Sequence, residues 1–137
     1  MDRKTPVIQG LGEVALRVVD LERMTSFYEQ VVGLELWLQF DGGAFFCIED
    51  GFGGHTRILA LFDRRSRDPV APRAEASTLD HFAFEISVEA YDSERARLEQ
   101  LGLAVWIREF PDLHWKRLFF QDREENTVEF VCYDDTA

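Results

Sequence analysis

Apolar and polar side chains alternate along two short stretches of the chain whose starts lie 68 positions apart. In residues 13–18, EVALRV, and again in residues 81–86, HFAFEI, every second side chain is apolar. A period of two is typical of a β-strand that buries one face. The first residue on the other face is ionisable in both stretches, Glu13 in the first and His81 in the second.

Each predicted strand is followed by a segment with helical periodicity. The first covers about residues 21–32, between the favourable N-cap Asp20 and the helix-ending Gly33, and the second runs from Ser87 to Gly102. Their apolar residues recur at helical spacing, so we expect them to pack on the buried faces of the strands. These residues are Leu21, Met24, Phe27, Tyr28 and Val31 in the first segment and Val88, Tyr91, Leu98 and Leu101 in the second.

Three further strands are predicted after each helix, separated by turns rich in glycine, aspartate and asparagine. They cover about residues 35–40, 44–49 and 57–62 in the first half and 104–110, 116–121 and 127–133 in the second. A Gly-Leu pair and a tryptophan also recur, and we expect Trp37 and Trp106 in the core. The sequence therefore predicts an α+β fold built from two tandem βαβββ modules.

The length of 137 residues fits a single domain that contains both modules. We expect module one at 11–62 and module two at 78–134, joined by an exposed linker at 63–77 that is rich in arginine and proline. The two sheets are expected to curl around a central cavity lined by the faces without helices. Glu13 and His81 would then face each other across an approximate two-fold axis.

The composition disfavours several classes of protein. Subtracting 26 acidic from 15 basic residues leaves a charge of −11, which disfavours binding to nucleic acids or anionic membranes. Cys47 and Cys132 lie in apolar strands without a CxxC pair, so we expect small buried side chains rather than a redox or zinc site. The chain starts without the apolar segment of a secretory leader, so we expect a cytoplasmic protein.

Three segments resemble the vicinal oxygen chelate superfamily, which includes glyoxalase I, extradiol dioxygenases, fosfomycin-resistance enzymes and bleomycin-resistance proteins. They are VALRVVDLERMTSFYEQVVGLEL (14–36), LDHFAFEI (79–86) and FFQDREENTVEFVCYD (119–134). The resemblance extends over about residues 11–134. It implies a small-molecule substrate, a divalent metal in many members and, as a working assumption, a homodimer.

The metal ligands that the resemblance implies are Glu13, His81 and Glu129. Glu13 stands where the family usually has histidine, and the fourth ligand of the glyoxalases aligns with Ala60, which cannot ligate. Two carboxylates and one imidazole suit Fe(II), Mn(II), Ni(II), Zn(II) or Mg(II). Such an ion would chelate adjacent substrate oxygens as a Lewis acid. Glu129 and His114 are the candidate catalytic residues, His114 as a nearby acid or base.

Two functions therefore remain open at this point. One is a metal-dependent lyase, isomerase or ring-cleaving dioxygenase that acts on a substrate with vicinal oxygens. The other is a metal-free protein of the bleomycin-resistance type that binds a small molecule without changing it. In the second case Glu13 would face solvent or pair with an arginine such as Arg17, and His81 would be an ordinary pocket histidine.

Overall fold

The computed structural model describes residues 7–65 and 79–136, which divide into two compact units. The first unit is Met1–Asp68 and the second is Pro69–Ala137. Each contains one helical segment and one four-stranded sheet, which confirms the α+β fold and the two similar modules. The predicted linker lies outside the described residues from position 66 onwards. The curl of the sheets around one cavity, within a single domain, stays a prediction.

The sheet of the first unit has the strand order β1-β4-β3-β2. Strands β1 and β4 are parallel and the other neighbours are antiparallel. The helical segment crosses between β1 and β2, so its apolar side covers one face of the sheet. The elements are β1 (Glu13–Val18), α1 (Leu21–Ser26), a π-helical turn (Phe27–Val32), β2 (Glu35–Phe40), β3 (Gly43–Asp50) and β4 (Thr56–Asp63).

The second unit repeats this topology with the order β5-β8-β7-β6, in which β5 and β8 are parallel. No helix in the described part of either unit is long and apolar enough to cross a membrane. The elements are β5 (Phe82–Glu85), a 3₁₀ turn (Val88–Ala90), α2 (Tyr91–Gln100), β6 (Trp106–Phe110), a 3₁₀ turn (Pro111–Leu113), β7 (Trp115–Gln121) and β8 (Thr127–Tyr133).

The first helix differs from its prediction because it is α-helical only as far as Ser26. The following turn is π-helical and ends at Gly33, whose φ of 89° places it in the left-handed region that glycine adopts without strain. The amides of Gly33 and Leu34 both donate to the carbonyl of Tyr28. Consecutive side chains diverge by about 100° around an α-helix, and the wider turn accompanies the burial of two adjacent rings, Phe27 and Tyr28.

The core of each unit lies between its helical segment and the covered face of its sheet. Met24 is fully buried, as expected, and Asp20 caps α1 by accepting from the amide of Arg23. In the second unit Tyr91 and Leu98 are buried. Among the described residues, the largest fully buried side chains are Val18, Met24, Tyr28, Phe46, Leu59 and Leu61 in the first unit and Leu98, Leu118, Phe120 and Val128 in the second.

The two tryptophans that were expected in the core behave differently. Trp37 is 48% exposed, so the prediction was wrong for this residue. The pairing of β2 with β3 shifts by one residue between Leu36 and Leu38, which makes Trp37 the extra residue of a β-bulge. A shift of one residue sends a strand's later side chains to the opposite face. Trp106 lies in a regular strand and stacks on Phe119, with 5.7 Å between ring centroids and 12° between planes.

We expect the substitution Leu59→Ala to lower the free energy of unfolding by about 2–5 kcal/mol, because it leaves a cavity beneath the helical segment. The exposed fraction of Leu59 is 1%. The matched control is Leu38→Ala, which removes the same atoms from a side chain that is 46% exposed and should cost less than about 1 kcal/mol. Urea unfolding of both variants measures the difference, and equal losses would contradict the placement of the core.

Candidate functional site

The sheet of the second unit has one face that is not covered by its helix. Tyr91 of α2 lies against the opposite face, where its ring is 4.5 Å from Lys116 Nζ. Side chains point alternately to the two faces along each strand. Together with the register between neighbouring strands, this identifies the residues on the uncovered face. It carries Ala83 and Glu85 from β5, Glu129, Val131 and Tyr133 from β8, Trp115, Arg117 and Phe119 from β7, and Trp106 and Arg108 from β6.

A cavity of about 620 Å³ lies on this uncovered face, and all the residues that line it belong to the second unit. This volume is within the usual range of sites for small molecules and cofactors. Its lining combines ionisable groups (His81, Glu85, Arg117 and Glu129) with the rings of Trp115 and Tyr133. Within this cavity the polar groups are concentrated around one carboxylate.

Glu129 is that carboxylate, and its side chain is only 5% exposed. Arg117 donates to both of its oxygens, with Nε 3.1 Å from Oε2 and Nη2 3.2 Å from Oε1. His81 Nε2 lies 2.9 Å from the same Oε1. A buried carboxylate needs hydrogen bonds and a neutralising charge, and these two neighbours provide them.

His81 lies between two carboxylates. Its Nδ1 is 2.6 Å from Oδ2 of Asp80, whereas its Nε2 faces Glu129. A doubly protonated ring would donate to both carboxylates, and a neutral ring can donate to only one of them. When the proton is on Nδ1 and is donated to Asp80, the lone pair of Nε2 points towards Glu129 and can bind a metal.

The ring of Phe119 supports the cluster from one side. The rings of His81 and Phe119 make a T-shaped contact at a centroid distance of 5.5 Å, and the guanidinium carbon of Arg117 lies 5.0 Å from the centre of the Phe119 ring. Trp106 stacks against the same ring. Contacts of an arginine with an aromatic face are favourable, so Phe119 helps to hold both polar side chains near Glu129.

The strand registers relate this cluster to the equivalent positions of the first unit. Ala15 of β1 pairs with Ala60 of β4, and Ala83 of β5 pairs with Glu129 of β8 in the same parallel arrangement. Ala60 therefore occupies the position of Glu129 in the first sheet, which agrees with the sequence alignment. The first copy of the repeat offers no carboxylate at this place.

An aromatic cluster fills the corresponding face of the first unit. The position equivalent to Arg117 is Gly43, because Gly43 pairs with Phe62 as Arg117 pairs with Val131. A Cβ atom at Gly43 would meet the ring of Phe40. The rings of Phe40, Phe45 and Phe62 contact one another at centroid distances of 5.0–6.3 Å. The two copies thus have the same strand pairing, but this face is aromatic in the first unit and carries an ion pair in the second.

Glu13 begins β1 beside Ile58 of β4 and lies two residues before Ala15, as His81 lies two residues before Ala83. Its side chain is exposed and makes no hydrogen bond or ion pair within residues 7–65 and 79–136. The pairing with Arg17 that a metal-free site allowed is therefore not observed. Glu13 belongs to the first unit, and its role as a third ligand stays a prediction. In the described part of the second unit, no further carboxylate, imidazole or thiol joins His81 and Glu129 as a ligand set.

His114 is held in the turn before β7 with a left-handed φ of 57°. Its ring packs against Tyr133 at a centroid distance of 5.8 Å, and its Nδ1 is buried without a hydrogen-bond partner in the described structure. Its carbonyl accepts from the amide of Asp134. His114 is not among the residues that line the cavity, and its catalytic role stays a prediction.

Sequence reasoning missed two members of the cluster, Asp80 and Arg117. Asp80 directly precedes His81, and an acidic neighbour of a candidate ligand was an available signal. Arg117 lies two residues before Phe119, so the period of two on β7 places both on one face. The signal for its ion pair was weaker, because a strand pattern gives the face of a side chain and not its partner.

The comparisons with known proteins agree with the fold and with the family resemblance. Residues 10–130 match the family described as the Glyoxalase/Bleomycin resistance protein/Dioxygenase superfamily. The chain is 28% identical over 100 residues to glutathione transferase FosA from Serratia marcescens, and the match covers 73% of this chain and 65% of that protein.

Two solved structures show the similarity in three dimensions. Lactoylglutathione lyase from Agrobacterium tumefaciens has a TM-score of 0.70 and 28% identity, and the match covers 94% of this chain and 96% of that one. A variant of the fosfomycin resistance protein FosX from Listeria monocytogenes, solved with Mn(II) and 1S,2S-dihydroxypropylphosphonic acid, has a TM-score of 0.66 and 22% identity, with 94% of each chain covered.

Burial raises the pKa of the Cys132 thiol, which predicts slow alkylation. In a Cys47→Ser variant, Cys132 is the remaining cysteine. A raised pKa leaves less thiolate at a given pH, so the reaction with iodoacetamide should start at higher pH than in the urea-unfolded protein. Rate measurements from pH 7 to 10 in both states test this. A midpoint in the folded protein at or below the unfolded one would contradict it.

Proposed function

The chain belongs to the Glyoxalase/Bleomycin resistance protein/Dioxygenase superfamily, and on this basis we propose that it is a metal-dependent enzyme that transforms a small molecule. The cavity of the second unit would bind the substrate, and His81 and Glu129 would hold a divalent ion with Glu13 as the third ligand. The observation that carries the proposal is the 2.9 Å approach of His81 Nε2 to Glu129 Oε1 inside that cavity.

The separation of the two atoms fits a shared metal. Nitrogen and carboxylate ligands lie about 2.0–2.2 Å from ions such as zinc, so two atoms that hold the same ion lie no more than about 4 Å apart. His81 Nε2 and Glu129 Oε1 already lie within this limit. Asp80 supports the fit, because metal-bound histidines usually donate their other ring proton to a carboxylate or carbonyl.

The bound ion would act as a Lewis acid towards adjacent oxygens of a substrate and stabilise the negative charge that develops there. An imidazole and two carboxylates are compatible with Fe(II), Mn(II), Ni(II), Zn(II) or Mg(II), and the FosX structure of the same fold contains Mn(II). This chain's residues would orient the ligands and shape the site. Asp80 fixes the tautomer of His81, and Trp115 and Tyr133 form part of the cavity wall.

Lyase, isomerase and ring-cleaving dioxygenase reactions all suit such a site, and the substrate class we propose is a small molecule with vicinal oxygens. Glu129 is the proposed carboxylate nearest to the reacting atoms. His114 is the proposed proton donor or acceptor; its ring contacts that of Tyr133, which lines the cavity. We further propose, from the family resemblance, a homodimer that works in the cytoplasm without nucleic-acid or membrane partners.

A second candidate is a metal-free protein that binds a small molecule without changing it. The ion pair between Arg117 and Glu129 favours this candidate, because the guanidinium already neutralises the carboxylate. The two candidates differ in the fate of a bound compound. In buffer supplemented with metal, an enzyme converts a vicinal-oxygen substrate to products that mass spectrometry detects, whereas a binding protein returns the compound intact.

We expect the purified protein to bind one equivalent of Mn(II), and His81→Ala or Glu129→Gln to abolish this binding because each removes a ligand. Isothermal titration of metal-free protein with Mn(II) measures the effect. His55→Ala and Glu109→Gln are matched controls, because they make the same changes outside the cavity lining. The proposal is wrong if the unmodified protein binds none of the five candidate ions, or if either ligand variant binds as it does.

We expect Asp80→Asn to weaken Mn(II) binding by about 10–100-fold, since loss of a partner that orients a histidine ligand typically has this effect. The amide can still accept a hydrogen bond from Nδ1, but it lacks the charge that strengthens imidazole donation. Asp112→Asn is the control in an exposed turn. Equal affinities of the Asp80 variant and the unmodified protein would show that Asp80 does not orient His81.

A further inference from the structure

On the premise of the metal site proposed above, we propose that Arg117 and the divalent ion compete for Glu129. The guanidinium holds the carboxylate in the metal-free protein, and metal binding displaces it into the cavity. Arg117 is thus a positioning residue that keeps a buried ligand neutralised and correctly placed until the ion arrives, and its release sets the affinity of the site.

The competition follows from the atoms around Oε1 of Glu129. This oxygen accepts from Arg117 Nη2 at 3.2 Å and faces His81 Nε2 at 2.9 Å. An ion shared by Oε1 and Nε2 would lie within a few ångströms of the guanidinium. Like charges at such distances repel strongly in a partly buried site, where the effective dielectric is well below that of water. The ion and the present position of Arg117 are therefore mutually unfavourable.

Arg117 has space into which it can move. Its side chain is 21% exposed and lines the cavity, whereas the side chain of Glu129 is 5% exposed. The long flexible stem of arginine can therefore turn without displacing the sheet. Glu129 has less freedom, because its side chain is nearly buried and its strand β8 is paired on both sides, with β5 and β7.

Glu85 offers the displaced guanidinium a second carboxylate on the same face. The register places Glu85, Val131 and Arg117 in one row across β5, β8 and β7. Strands lie about 4.8 Å apart, so the backbones of Glu85 and Arg117 are roughly 10 Å apart, which two extended side chains can span. Glu85 lines the cavity and makes no hydrogen bond or ion pair with the described residues.

The first test compares the Mn(II) affinity of Arg117→Gln with that of Arg108→Gln. Arg108 is the direct neighbour of Arg117 on β6, and its guanidinium donates a hydrogen bond to the carbonyl of Ile107. Both variants lose one positive charge from the same row of the same sheet. We expect Arg117→Gln to bind Mn(II) about tenfold or more tightly, because the competing charge is gone, and Arg108→Gln to change affinity by less than about threefold.

Thermal unfolding gives a readout that is independent of activity. Without metal, Arg117→Gln should melt at a lower temperature than the unmodified protein, because it leaves Glu129 buried without its bidentate partner. With Mn(II) the variant should gain more in melting temperature than the unmodified protein does. A purely structural role would lower the melting temperature without raising the metal affinity. Arg117→Lys keeps the charge but loses the two-point hydrogen bond to Glu129. It serves if Arg117→Gln does not fold, and its affinity should exceed that of the unmodified protein, but by less than about tenfold.

The second test is a double-mutant cycle between Glu85 and Arg117. We expect Glu85→Gln to weaken Mn(II) binding, because the displaced guanidinium loses its acceptor. In the Arg117→Gln background the same change should have a smaller effect. A general influence of the Glu85 charge would instead persist unchanged in both backgrounds, and this result would exclude Glu85 as the acceptor.

The failure of this inference can be distinguished from failure of the metal site itself. If the unmodified protein binds Mn(II) through His81 and Glu129 while Arg117→Gln binds it equally or more weakly, the competition is wrong and the metal site stands. If Glu129→Gln leaves Mn(II) binding intact, or if neither the unmodified protein nor Arg117→Gln binds Mn(II), the metal site and the competition are both wrong. Binding by Arg117→Gln alone would likewise overturn both, because the unmodified protein would then hold no Mn(II) for which Arg117 could compete.

Discussion

The buried carboxylate of Glu129 is the constraint on which the chemistry of the second sheet depends. A carboxylate that is removed from water loses several kcal/mol of solvation unless charges and donors replace it. Arg117 donates to both of its oxygens, His81 lies against one of them, and both side chains contact the ring of Phe119. The polar residues of the cavity are therefore arranged around a single buried charge, and any ligand that enters must interact with this arrangement.

The internal repeat shows how much of this arrangement is fold and how much is side chain. Both units have the same strand order and the same register between their parallel strands. The first unit nevertheless places Ala60 and an aromatic cluster where the second has Glu129 and an ion pair. The backbone thus supplies equivalent positions in both copies. A few substitutions decide whether the side chains there form an apolar cluster or a cluster of charged groups.

The strands could be predicted from the sequence because alternation of side chains is a local property. The pattern of EVALRV gave the buried face of β1 correctly. The bulge at Trp37 and the π-helical turn after Ser26 could not be predicted. Each depends on one extra residue being accommodated by a neighbouring element, and a single strand or helix pattern contains no information about its neighbour.

The candidate site was predicted in the same partial way. Alignment of the repeat singled out His81, the family resemblance implied Glu129, and the structure brings these two side chains within hydrogen-bonding distance. The sequence did not predict the ion pair of Arg117 with Glu129. That contact joins β7 to β8 through two side chains whose rotamers the sequence does not specify.

Gly43 has a consequence for how the two copies can diverge further. A side chain there would meet the Phe40 ring and approach the carbonyl oxygen of Leu61 at 3.1 Å. Converting the first copy into a charged centre like the second would need an acidic residue at Ala60, a basic residue at Gly43 and removal of Phe40, and any one of these changes alone would strain or destabilise the protein. Single substitutions in that direction are therefore disfavoured, so the same sheet face is held to apolar packing in one copy while the other carries a buried ion pair.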